Sequence, residues 1–98
     1  MWIGWIECDL RLGDVHSRKQ KRSVVRPIVA EIQRRFQVSA AETTHLDEYR
    51  RAGIGAAVVA ADRARVVQVL DDIERLVAMR PEVELLSVGT RLRTSDDD

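Results

Sequence analysis

The chain has 98 residues, 16 Lys and Arg against 16 Asp and Glu, 45% hydrophobic residues and one cysteine. That length supports one domain with one core, burying roughly 60–65% of its extended surface, and a lone Cys8 excludes an intrachain disulfide framework. No apolar run approaches the ~20 residues of a membrane span, and the start at Trp2-Ile3-Gly4-Trp5 lacks the pattern of a signal peptide, so a cytoplasmic protein with no membrane partner is the expectation.

Residues Trp2 to Leu12 alternate. Trp2, Gly4, Ile6, Cys8, Leu10 and Leu12 share one face, and Ile3, Trp5, Glu7, Asp9 and Arg11 the other. Period two predicts a strand with only one face in the core. Gly13-Asp14 ends it. Ser17 with Gln20 fits a Ser-x-x-Gln capping box and predicts a helix start. Val25, Ile28, Val29, Ile32 and Phe36 follow at helical spacing. Pro27 interrupts this pattern. The stripe stays in phase across it, which predicts one helix bent at the proline rather than a later start capped by Ser23.

Val38 to Thr44 reads as a second strand, and His45-Leu46-Asp47-Glu48 as a turn. Arg50 to Ala61 reads as a third strand. Asp62 is the cap of a second helix, whose stripe is Val66, Val69, Leu70, Ile73, Leu76 and Val77. Arg80-Pro81 stops it. Val83 to Arg93 is the last strand, and residues 95–98 are expected to form a disordered acidic tail after a single domain over 1–94. The order is βαββαβ, the ferredoxin-like α+β motif. Each helix has one apolar stripe, so both should lie on one face of a four-stranded antiparallel sheet in order 4-1-3-2.

With the elements placed, the chain resembles the YlxP-like family of small bacterial proteins, whose function is not established. The resemblance rests on Ser17-Arg18-Lys19-Gln20-Lys21-Arg22, on Phe36-Gln37-Val38-Ser39-Ala40-Ala41-Glu42 and on Arg51-Ala52-Gly53-Ile54-Gly55 leading into Val58-Val59. It covers nearly the whole chain. The family usually reads Ser-Leu-Lys at the first site, from which Arg18 departs. The resemblance implies a ferredoxin-like fold and a setting among translation and ribosome-maturation genes. It offers no agreed catalytic residues.

Charge is segregated along the chain. From Ser17 to Arg35 there are seven basic residues, Arg18, Lys19, Lys21, Arg22, Arg26, Arg34 and Arg35, against Glu31 alone. Overall neutrality is unlike a dedicated nucleic-acid binder, but the local excess remains. Lys19, Arg22 and Arg26 share a helix face at i, i+3, i+7, with Arg18 on its border. Such a stripe can neutralise phosphates, with arginine binding them in bidentate fashion. Positive side chains at a helix N-terminus oppose its dipole, so keeping them there suggests a use. Arg18, Lys19, Lys21, Arg22 and Arg26 are therefore the candidate contacts to RNA or the ribosome. The alternative is a solvated face balanced by Glu7, Asp9 and Glu42.

The outer sheet face is the second candidate. Ile3 and Trp5 would stand there beside a smooth Gly- and Ala-rich third strand. That strand has no aromatic residue, which argues against the base stacking of RNA-recognition motifs. The face suits self-association into a homodimer, or a modestly exposed sheet in a monomer. The remaining features are weaker. Gly53-x-Gly55 lies inside a strand and fits close backbone approach or a bulge better than a phosphate loop. Asp14, His16 and His45 match no metal spacing. Cys8 fits a buried filler, and Glu42 an ion-pair partner of the basic helix or a site residue. No triad pattern appears. The expectation is a non-enzymatic binding protein without cofactor. The other reading is a structural or regulatory module that dimerises through its sheet and binds a protein or small anion.

Overall fold

The computed structural model describes residues 1–96. The elements run β1 (Trp2–Leu12), α1 (Arg18–Phe36), β2 (Ser39–Thr44), β3 (Arg51–Ala60), α2 (Arg63–Ala78) and β4 (Val83–Thr94). The sheet order is β2-β3-β1-β4, and every neighbouring pair is antiparallel. This is the expected ferredoxin-like arrangement. The acidic-tail expectation for residues 97–98 lies outside the described residues. Ser95 and Asp96 form a turn, where Ser95 N–H donates to the Met1 carbonyl at 2.8 Å.

Strand β1 has the phase that its alternation predicts. Ile6, Cys8, Leu10 and Leu12 are buried, and with Val25, Ile28 and Ile32 of α1 and Val66, Val69, Leu70, Ile73 and Val77 of α2 they form one core. Both helices therefore cover one side of the sheet. Gly4 allows α2 to come close: a Cβ there would overlap Val66 Cγ1 and stand 3.1 Å from Leu70 Cδ1. Gly53 and Gly55 do the same for the β2 edge. A Cβ on Gly53 would run into Thr44, and one on Gly55 would stand 3.0 Å from Thr43 Cγ2. The β2–β3 register slips between Glu42 and Thr44. Close approach beside a bulge is thus the reason for the two glycines.

Helix α1 begins where the capping pattern places it. Ser17 is extended (φ −150°, ψ 162°), and its Oγ accepts from Gln20 N–H at 3.1 Å. The return contact differs from the usual box: Gln20 Oε1 accepts from His16 N–H at 2.6 Å, not from Ser17. The helix runs unbroken through Pro27, as the in-phase stripe requires. It ends at Gln37, whose left-handed backbone (φ 53°) lets its N–H donate to Gln33 O at 3.0 Å. Asp62 caps α2 by accepting from Arg65 N–H at 2.8 Å. Among the described residues, no helix is long and apolar enough to cross a membrane.

Candidate nucleic-acid interface

The basic run on α1 divides into two populations. Lys21, Val25, Ile28 and Ile32 are the buried residues of this helix. Lys21 thus stands in the first turn of the core stripe, with 5% of its surface exposed. Its ammonium donates to the carbonyls of His45 (2.7 Å) and Glu48 (2.6 Å), and Glu42 Oε2 lies 2.8 Å away. This corrects the expectation that Lys21 contacts RNA: its ammonium is buried, donates to two carbonyls and faces a carboxylate, so it is not presented to a phosphate. The same contact assigns Glu42 as an ion-pair partner.

Lys19, Arg22 and Arg26 are exposed. Together with Ser23 and Pro27 they line one shallow hollow on the outer side of α1. None of the three has a carboxylate within ion-pair distance among the described residues. The acids that could have balanced them are engaged elsewhere. Glu42 holds Lys21, Asp9 holds Arg51 and Glu31 reaches Arg80 at 3.4 Å. Glu7 stands on the uncovered side of the sheet. The first turn of α1 has no acidic residue. Arg18 lies between the two populations. It is exposed and reaches Asp47 at 3.6 Å, across a distance and solvent exposure at which a pair contributes little.

Lys21 also organises the loop of residues 45–50 beside the start of α1. His45 takes a left-handed conformation (φ 59°), and its ring nitrogens face Glu48 and Asp9. Arg51 donates to Asp9 Oδ2 at 2.5 Å and holds the Asp9 carboxyl below the usual carboxylate range. The loop displays Tyr49 and Arg50, both exposed. Arg11, Arg50 and Arg51 line a second hollow around the Gly13-Asp14 turn that leads into α1. Tyr49 and these strand-end arginines carry no sequence motif. Only the sheet register brings them to the end of the molecule where α1 starts.

The other candidates have plainer places. Cys8 is buried in the core, and burial pushes its thiol up to about 11. His16 pairs with Asp14 on the surface. No group of three or more metal-ligating side chains stands together among the described residues. Ile3 and Trp5 are half-buried and lie on the sheet side away from the helices, which is the phase that the alternation predicts.

A ferredoxin-like domain with a free basic stripe on its first helix is the class that fold and surface define. The chain belongs to the family described as "Protein of unknown function (DUF503)", which matches residues 3–90. It is 32% identical over 82 residues to the uncharacterized protein YlxP of Bacillus subtilis (strain 168), covering 84% of this chain and 89% of that protein. Two solved structures are similar in fold. The de novo designed protein Foldit4 has a TM-score of 0.51 at 16% identity, over 95% of this chain and 98% of that one. A variant of SnoaB, a cofactor-independent oxygenase from Streptomyces nogalater, has a TM-score of 0.50 at 12% identity, over 99% and 95%. At such identities both likenesses concern the fold alone.

Proposed function

We propose that this protein is a non-enzymatic RNA- or ribosome-associated binding protein of the cytoplasm, and that it contacts phosphates through Lys19, Arg22 and Arg26, with Arg18 at the border. One observation carries the reading: three like charges stand one turn apart near a helix N-terminus, and among the described residues no carboxylate pairs with any of them. Mutual repulsion and the helix dipole each disfavour that arrangement by a few tenths of a kcal/mol per charge in the free protein. An anionic partner reverses the sign. Arginine adds bidentate geometry toward phosphate oxygens. RNA is favoured over a small anion because the stripe extends over two turns of helix, and Tyr49, Arg50 and Arg11 are exposed at the end of the molecule where α1 starts. A backbone of regularly spaced phosphates can follow it, and an exposed tyrosine is a platform on which an unpaired base stacks.

The test is co-sedimentation with purified ribosomes and with ribosomal RNA at low and physiological salt. The protein should pellet with both and be released as salt rises. A protein that stays in the supernatant at every salt concentration contradicts the reading. So does binding that ribonuclease treatment leaves unchanged.

A further inference from the structure

The side of the sheet away from the helices has a charge pattern that complements itself. Trp5 projects from β1 there. Beside it, Ala41 of β2 and Gly55 and Ala57 of β3 form the floor of a mainly apolar groove. The register places Trp5 opposite Ala57, and Ala41 opposite Gly55. A large side chain therefore adjoins a shallow groove, in which Thr43 packs over Gly55. The next row along β1 holds Glu7, flanked in register by Gly55 and Gly89. A Cβ on Gly89 would meet nothing within 4 Å, so the space beside the Glu7 carboxylate is open. Arg91 stands on β4 opposite Trp5, one row from Glu7. Glu7 and Arg91 are both exposed, and neither has an ion-pair or side-chain hydrogen-bond partner among the described residues. Val59, at the apolar end of the same face, is 62% exposed.

We propose that this face binds a second copy of the chain through a two-fold axis that crosses the strands between the rows of Trp5 and Glu7. In an isologous contact, residue i meets residue j and j meets i. The axis exchanges the two rows. It brings each Trp5 over the partner's Glu7, and each Arg91 over the partner's Gly89, within reach of the same Glu7. Cation meets anion twice, and each indole covers an ion pair. A different protein would have to supply the complementary charges independently, whereas a second copy already carries them. The size is adequate: four strands at ~4.8 Å spacing and ten residues at ~3.3 Å give a footprint of about 600 Å², close to the lower range of the roughly 800 Å² per partner seen in stable interfaces. The α1 stripe lies on the opposite side, so the dimer leaves it free and does not depend on RNA binding.

The experiment is sedimentation equilibrium on the wild-type chain and on Glu7→Arg, Arg91→Glu and the double variant, with circular dichroism to verify folding. The wild type should be a dimer at micromolar concentration. Each charge reversal should weaken the dimer at least tenfold, because it places like charges across the axis twice. The double variant should recover it, and an equimolar mixture of the two single variants should form a heterodimer. Trp5→Ala should dissociate the dimer while the fold is kept. A wild type that is monomeric at high concentration overturns the proposal. So does a dimer that is indifferent to both charge reversals, or one that the double variant fails to restore.

Discussion

Lys21 Nζ lies 2.8 Å from Glu42 Oε2 inside the junction between α1 and β2. The pair joins the first turn of the helix to the edge strand, and the same ammonium holds the carbonyls of His45 and Glu48. Burying an ammonium is costly unless it is paired and hydrogen-bonded. Lys21 is both, so this basic residue serves the fold.

Replacing Lys21 with Ala should therefore destabilise the protein by about 3 kcal/mol, the low end of the range for a broken buried pair. Glu42 keeps 25% of its side chain in water, which moderates the loss. Combining Lys21→Met with Glu42→Gln should recover part of that stability, because no charge is left unpaired. Amide exchange over residues 45–50 should be faster than in the wild type in both variants, because the Lys21 hydrogen bonds to the loop are lost. Urea unfolding and hydrogen exchange measure the two effects separately.

Asp9 and Arg51 give a pH dependence with a defined sign. The hydrogen bond from Arg51 lowers the Asp9 carboxyl below its unfolded value. A depressed carboxylate adds stability above its unfolded pKa, about 3.9, and that contribution is lost as pH falls through the folded value. Asp9→Asn should be less stable than wild type at neutral pH, and the difference should shrink below about pH 4. Thermal melts across pH 2–7 show it. A constant difference at all pH values would remove this pair from the account.

Gly4→Ala should cost about 1–3 kcal/mol, the usual range for overpacking a core. The added methyl overlaps Val66 Cγ1, so α2 must move off the sheet. Gly89→Ala, with open space around it, should leave the stability of the monomer nearly unchanged. Denaturant midpoints of the two variants make the comparison directly.

The fold was legible because its signals are local and periodic. The two-residue alternation of β1, the stripe continuing through Pro27, and the Ser17 and Asp62 caps each have a short-range physical cause. The site was legible in part. Lys19, Arg22 and Arg26 follow from helix phase alone. Lys21 was misassigned because its charge was weighed and its phase was not: it stands four residues before Val25, in step with Ile28 and Ile32. Phase would have identified it. The pairing of Asp9 with Arg51, and the gathering of Arg11 with Arg50, depend on which residues face each other across β1 and β3. Strand register is set by the whole sheet, and no local pattern encodes it.

The central claim is that the free stripe on α1 exists for a phosphate backbone. The most direct measurement is the affinity of a fluorescently labelled RNA hairpin as a function of salt, for wild type and for Lys19→Gln/Arg22→Gln/Arg26→Gln. Each phosphate contact contributes nearly one unit to the slope of log K against log salt. The triple variant should bind more weakly, with a slope shallower by about two to three units. Its melting temperature should be unchanged or higher, because mutual repulsion is relieved. A triple variant that binds RNA with the same affinity and slope, or that melts at a lower temperature while binding as before, would show that the stripe serves the fold and not a nucleic-acid partner.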